Sequence, residues 1–222
     1  MPPPDSAQSL PLWGLILASY LLGALPFGLL LAKGLKGIDP RTVGSGNIGA
    51  TNTIRAVGKP IGLTAFALDV MKGLAPALWL APLAAAEPDL VRAQVLGGAA
   101  AVIGHCFPVY LGFKGGKGVA TACGAAIAVD PIVFLIGGAA WLICLATTRY
   151  VGLASMVMGV AFPIAAWARG DDAWFLGGTA ALAALILLRH RANLGRLLRG
   201  EEPRMGDKKR DAASNGTDTS HA

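Results

Sequence analysis

The chain has 222 residues, of which 54% are hydrophobic and only 14% charged, and its mean hydropathy is +0.57. Soluble domains carry about 25% charged residues, so these figures exclude a disordered chain, and 19 Lys and Arg against 13 Asp and Glu fall short of a soluble nucleic-acid binder. Three cysteines without a CxxC pair exclude a disulfide-stapled domain, which leaves an integral membrane protein.

A bilayer span needs about 20 mostly apolar residues. Residues 11–32 form the first candidate, ending at Lys33, Lys36 and Arg41. The stretch before it carries no positive charge and the run is too long for a signal-peptide core, so it reads as a retained anchor. The second run, 60–83, is interrupted by Asp69 and Lys72 and stops at Glu87-Pro88-Asp89. The third is Leu90–Leu111. A short fourth, 119–129, ends at Asp130-Pro131. Runs 132–148, 152–168 and 173–188 follow, the last entering Arg189-His190-Arg191. The fold class is therefore an all-α integral membrane protein, a bundle of seven transmembrane helices with short interfacial helices. Of the 19 basic residues, 16 fall on one side of this layout. By the positive-inside rule that side is cytoplasmic, the N-terminus is outside and the C-terminus is cytoplasmic. Residues 1–203 read as one membrane domain and 204–222 as a polar, disordered cytoplasmic tail with a basic Lys208-Lys209-Arg210 triplet.

The small and polar residues cluster on the cytoplasmic side. Gly44-Ser45-Gly46-Asn47-Ile48-Gly49-Ala50-Thr51-Asn52, followed by Arg55, contains a formal GxGxxG match. A dinucleotide site requires a strand ahead of it, and here a membrane helix precedes it. Glycines still let backbone N–H groups converge on an anion. A helix starting near Ile48 adds its positive end, and Arg55 adds a phosphate clamp. The alternative is a well-capped connector.

Phe113-Lys114-Gly115-Gly116-Lys117-Gly118-Val119-Ala120-Thr121 resembles a phosphate loop but fails the Walker pattern, because Gly118 stands where Ser or Thr is needed. What survives is a glycine turn with Lys117 at the membrane face, either an anion site or a tight basic turn. In the third cluster His190 and Asn193 are three apart and share a helix face. Asp69 and Lys72 share a face inside a span and fit an ion pair as well as a substrate contact. His105 fits a packing role as well as a chemical one. Ser155 either lines a cavity or bonds its own helix.

These segments together, with Gly104-His105, Arg196-Leu197-Leu198, Gly200 and Glu202-Pro203, resemble the bacterial acyl-phosphate:glycerol-3-phosphate acyltransferases, the PlsY family. The resemblance runs from about residue 15 to 203. Glu201 stands where that family often has Thr, and Gly152 where it often has Ser. It implies transfer of a fatty acyl group from acyl phosphate to the 1-hydroxyl of glycerol 3-phosphate. The products are lysophosphatidate and inorganic phosphate, the first step of phospholipid synthesis, at the cytoplasmic face of the inner membrane. It implies Ser45, Arg55, Lys117, His190, Asn193 and Glu202 as catalytic residues. It assigns substrate binding to Gly46, Asn47, Thr51, Asn52, Asp69, Lys72, His105, Gly115, Gly116, Gly118, Thr121 and Ser155.

No HxxxxD motif follows His105 or His190, and no G-x-S-x-G elbow occurs. Direct attack on the activated donor, without an acyl-enzyme, is the expected route. It needs no organic cofactor, and no metal-ligand constellation stands out. Expected partners are the two substrates and membrane lipid, not nucleic acid; the oligomeric state is not indicated. The competing class is a transporter of an organic phosphate, although transporters bind near the midplane on broken helices.

Overall fold

The structure is a computed structural model that describes residues 9–206. The Lys208-Lys209-Arg210 triplet lies outside the described residues. In chain order the helices are α1 (Leu12–Gly23), α2 (Phe27–Lys36), α3 (Ala50–Val57), α4 (Lys59–Ala75), α5 (Ala81–Ala84), α6 (Leu90–Cys106), α7 (Val119–Val129), α8 (Pro131–Thr148), α9 (Val151–Arg169), α10 (Ala173–Arg189) and α11 (Arg191–Leu198). A π-helical stretch, Pro76–Leu80, joins α4 to α5. Pro76 has no N–H to give to the preceding turn, and a wider turn accommodates the missing bond.

Among the described residues five runs are long and apolar enough to cross a bilayer: Leu12–Lys36, Lys59–Ala84, Leu90–Leu111, Pro131–Thr148 and Val151–Arg169. The pair α10 and α11, bent by 55°, makes a sixth if taken as one broken span. The expected fourth span corresponds to α7, which has 11 residues. A helix of that length rises only about 16 Å, against a hydrocarbon core of about 30 Å. Among the described residues five or six helices thus meet the length requirement, where seven spans were expected. The apolar character is outward as well as inward. α8 has a mean hydropathy of 2.0 with only 11% of it buried, and Leu135, Leu142, Ile143 and Trp167 are exposed. A surface of that kind belongs against lipid tails.

The first expected span is broken in two. Pro26 cannot donate to the helix and biases Leu25 away from helical geometry, so α1 ends at Gly23 and α2 restarts at Phe27. Lys72 Nζ donates to the Leu25 carbonyl at 2.8 Å and lies 2.7 Å from Asp69 Oδ1. Both side chains are buried. The intramembrane charges therefore pair with each other and satisfy the backbone oxygen at the break, as buried polar groups in lipid must be.

Close helix contacts are made by glycine. A Cβ on Gly73 would overlap the Thr121 carbonyl oxygen, and one on Gly124 would overlap that of Val70, so α4 and α7 meet backbone to backbone. α1 and α6 meet in the same reciprocal way through Gly23 and Gly104. The apolar core lies between α6, α7, α9 and α10, around Val102, Cys106, Ala122, Cys123, Phe162 and Ile186. We expect Gly73→Leu to lower the stability of the detergent-solubilised protein by about 3 kcal/mol or more, read as a fall in melting temperature. Gly138→Ala, where nothing lies within 4 Å of the added carbon, should leave it unchanged.

Alternating helix directions bring the loop before α3, the loop before α7, the α8–α9 turn and the α10–α11 bend to one end of the bundle. Contacts join the last three of these: Lys117 bonds Asn193, Arg189 bonds the backbone of Gly115 and Gly116, and Arg149 bonds Met205; from α3, the charge of Arg55 acts on Lys117. At the opposite end Arg169 pairs with Asp130 at 2.7 Å.

Candidate active site

The loop before α3 is held by one side chain. Asn52, 2% exposed, donates from Nδ2 to the carbonyls of Pro40 (2.7 Å), Asn47 (2.9 Å) and Val43 (3.1 Å). Its Oδ1 accepts from the Ser45 N–H at 2.9 Å. Gly44 and Gly46 take left-handed backbone conformations, φ +58° and +67°, which glycine adopts without strain. Asn47 Oδ1 accepts from the Gly49 N–H at 2.8 Å, and the wholly buried Thr53 donates to the Gly49 carbonyl at 3.2 Å. Asn52 and Asn47 are thus spent on the loop's own backbone. Gly44, Ser45, Gly46, Thr51 and Arg55 are the exposed members. Thr51 and Arg55, four apart on α3, share a face.

The loop before α7 is fastened from two sides. The Gly116 N–H donates to the His105 carbonyl at 3.0 Å. A Cβ on Gly115 would overlap that carbonyl oxygen, and a Cβ on Gly116 would overlap His105 Nε2. From the other side Arg189 Nε donates to Gly116 O at 3.0 Å and Nη2 to Gly115 O at 2.8 Å. Gly118 has φ +83° and packs on Val102 and Cys106. These glycines are therefore required by close packing and backbone angle, and the Gly116 N–H is already engaged.

The residue this frame presents is Lys117. Its Nζ donates to Asn193 Oδ1. Asn193 Nδ2 donates to Glu202 Oε1 at 2.6 Å, and Arg196 Nε donates to Glu202 Oε2 at 2.8 Å. Asn193 and Glu202 are buried, and Asn193 packs on Gly152, where a Cβ would come within 2.7 Å of its amide nitrogen. The chain Lys117–Asn193–Glu202–Arg196 joins three separate segments. Burial pushes the Lys117 ammonium down to about 8; Glu202 opposes that shift, while Arg196, Arg189 and Arg55 reinforce it.

His190 is 2% exposed, and its Nδ1 lies 2.8 Å from Ile186 O. A carbonyl only accepts, so Nδ1 carries the proton and Nε2 keeps its lone pair. Burial, then the charge of Lys117, depresses His190 to about 4. It is neutral at ordinary pH.

The remaining expected site residues lie beneath the loops or away from them. Asp69, Lys72 and His105 form a buried group with His105 Nδ1 3.6 Å from Asp69 Oδ1. Thr121 is fully buried on α7. Ser155 donates to its own helix at Val151 O, 2.9 Å, and accepts from Trp141 Nε1 at 3.4 Å.

Two residues of the cluster, Arg189 and Arg196, carried no role in the sequence reading. The signal for Arg196 was present, since positions 190, 193 and 196 continue one spacing of three. That for Arg189 was not, because its partners are backbone carbonyls far away in sequence. Beyond Glu202 the chain stays on the body. Met205 N–H donates to Arg149 O at 2.8 Å, Arg149 Nη2 donates to Met205 O at 2.7 Å, and Arg204 Nε donates to the Tyr150 hydroxyl at 3.1 Å.

A family model described as glycerol-3-phosphate acyltransferase matches residues 13–200. The glycerol-3-phosphate acyltransferase of Hyphomonas neptunium is 44% identical over 209 residues, covering 91% of this chain and 99% of that one. The Aquifex aeolicus protein of the same name is 45% identical over 192 residues, covering 86% and 97%. Among solved structures, the glycerol 3-phosphate form of PlsY (YgiH), an integral membrane glycerol 3-phosphate acyltransferase, superposes with a TM-score of 0.80. It has 42% identity and the match covers 88% of this chain and 96% of that one. A second structure, the lysophosphatidic acid form, gives 0.78 at the same identity. With matching motifs, matching fold and identity along almost the whole folded length, the chain belongs to the glycerol-3-phosphate acyltransferase family of integral membrane proteins.

Proposed function

We propose that the protein transfers a fatty acyl group from acyl phosphate to the 1-hydroxyl of glycerol 3-phosphate, releasing lysophosphatidate and inorganic phosphate. The observation that carries this reading is the charge balance around Lys117. Lys117 is joined through Asn193 and Glu202 to Arg196, Arg189 holds the loop that carries it, and the charges of all three arginines, Arg55 included, oppose its protonation while Glu202 favours it. A partly buried group of cations with so little compensation calls for anionic ligands, and both substrates bring phosphate. The basic face is assigned to the cytoplasm, with the N-terminus outside and α7 counted as a seventh, short membrane helix, in a bacterial inner membrane.

Glycerol 3-phosphate is assigned to Ser45, Arg55, Lys117, His190 and Asn193. The loop of Gly115, Gly116, Lys117, Gly118 and Thr121 is assigned to the acyl-phosphate head group, with Gly115, Gly116, Gly118 and Thr121 acting through the shape of the loop. Asn52, Asn47, Asp69, Lys72, His105, Ser155 and Glu202 support those groups from behind.

The hydroxyl oxygen attacks the acyl carbonyl carbon directly, and the C–O bond to phosphate breaks. Because phosphate is a good leaving group, positioning and cationic stabilisation of the developing charge supply the acceleration. The hydroxyl proton goes to His190 Nε2 or to a donor phosphate oxygen. A phosphate dianion beside Lys117 offsets the field that depresses His190 and strengthens it as a base.

The test uses purified protein in detergent with both substrates. Phosphate release that requires both supports the enzyme, and its absence beside uptake of glycerol 3-phosphate into proteoliposomes supports a transporter. Within that assay, His190→Gln is expected to lower kcat by about 100-fold. An unchanged kcat at every pH assigns the proton to the donor phosphate.

A further inference from the structure

Arg189 has no part in the substrate contacts assigned above, yet it is the side chain that fastens the loop carrying Lys117. It is the last residue of α10 and spans to the loop before α7. Its Nε and Nη2 take two successive carbonyls, Gly116 O at 3.0 Å and Gly115 O at 2.8 Å, while its guanidinium lies over the Phe107 ring at 5.1 Å. A planar fork of donors suits two neighbouring oxygens, and a single ammonium does not.

The consequence is electrostatic as well as geometric. Peptide carbonyl oxygens carry partial negative charge, and any that faced an incoming phosphate would repel it. Arg189 takes up two of them, while His105 O takes the Gly116 N–H. The segment before Lys117 is then held on both sides, with Lys117 set between it and the turn at Gly118. The next residue after Arg189 is His190, so the same contact ties the loop to the helix end that bears the histidine.

We propose that Arg189 is a positioning residue for the phosphate site: its two-carbonyl clamp on Gly115 and Gly116 orients Lys117 and couples that loop to His190. It acts through the backbone and does not touch substrate. The inference rests on the site serving a phosphate ligand, and deepens the functional reading given above.

The test compares wild type, Arg189→Ala and Arg189→Lys in detergent. Both variants are expected to lose about 10- to 100-fold in kcat/KM for glycerol 3-phosphate. Arg189→Lys keeps the positive charge, so its loss reports lost geometry. Guanidinium at sub-denaturing concentration is expected to restore Arg189→Ala several-fold, by re-forming the clamp, and not Arg189→Lys, whose ammonium blocks the space. A generally weakened fold would not show that selective rescue. Wild-type kcat/KM in Arg189→Lys overturns the proposal, because charge alone then suffices; so does wild-type activity in a folded Arg189→Ala. The melting temperature rise produced by glycerol 3-phosphate separates this from the donor assignment. If wild type shows the rise but releases no phosphate from acyl phosphate, the donor assignment falls. Loss of the rise in Arg189→Lys still supports the clamp, and its full retention still overturns it.

Discussion

Replacing Lys117 by Ala is expected to lower kcat/KM by about 1,000-fold, on the scale of deleting one principal charge-stabilising donor. Lys117 is the group on which Asn193 and the cations of Arg55, Arg189 and Arg196 converge. Its ammonium must be charged to attract phosphate, and burial brings it down to about 8. The charged fraction falls as pH rises through that value. The kcat/KM profile of the wild type should therefore decline above about pH 8. A bound phosphate stabilises the ammonium and raises its pKa, so the alkaline limb of kcat should lie higher than that of kcat/KM. Steady-state kinetics from pH 6 to about pH 10 measure both limbs. An alkaline limb of kcat/KM at the same position in Lys117→Ala would exclude Lys117 as its origin.

The second large effect is expected at Glu202. Glu202→Gln leaves an oxygen for Asn193 but can place an amide N–H against Arg196 Nε, replacing an ion pair of 2.8 Å with a clash of donors. Removing one partner of a buried pair costs about 3–5 kcal/mol, and the partial exposure of Arg196 reduces that to about 2 kcal/mol here. Activity should fall about 100-fold, since Asn193 and Lys117 lose their fixed end. Because Glu202 raises the Lys117 pKa, its neutralisation should move the alkaline limb of kcat/KM to lower pH. Thermal unfolding and the pH profile measure the two effects independently. A profile that stays in place while stability falls would confine Glu202 to a structural role.

The site was legible in the sequence to different depths. The two glycine loops announced themselves because left-handed backbone at Gly44, Gly46 and Gly118 and packing against His105 both demand glycine. From sequence these loops fit either ligand N–H contacts or tight, well-capped turns. Part of the demand belongs to the protein itself: the Gly116 N–H is taken by His105 O, and Asn52 is consumed by the backbone of its own loop. A polar side chain in a glycine-rich motif looks the same in sequence whether it faces a ligand or a carbonyl. The spacing of His190 and Asn193 suggested one helix face, but His190 lies at the 55° bend between α10 and α11, with Asn193 on α11 beyond it. The bonds from Lys117 to Asn193 and from Arg189 to Gly116 span more than 70 positions and leave no periodic trace.

By itself the sequence determined the solvent in which this chain folds. A surplus of apolar runs, with charge confined to their ends, admits a membrane helical bundle and little else, because backbone polar groups in lipid must be satisfied within helices. It also determined that most of the basic residues fall on one side of the apolar runs. Only the tertiary structure decided that the first expected span breaks between Gly23 and Phe27, that Lys72 serves the broken backbone at Leu25, and that the basic residues differ in kind. Lys72 is paired with Asp69 inside the bundle, Arg189 holds a loop, and Lys117 stands among cations that Glu202 only partly offsets. The physical reason is that hydropathy and helix periodicity act over neighbouring residues, whereas burial, pairing and pKa depend on which helix ends the packed bundle brings together.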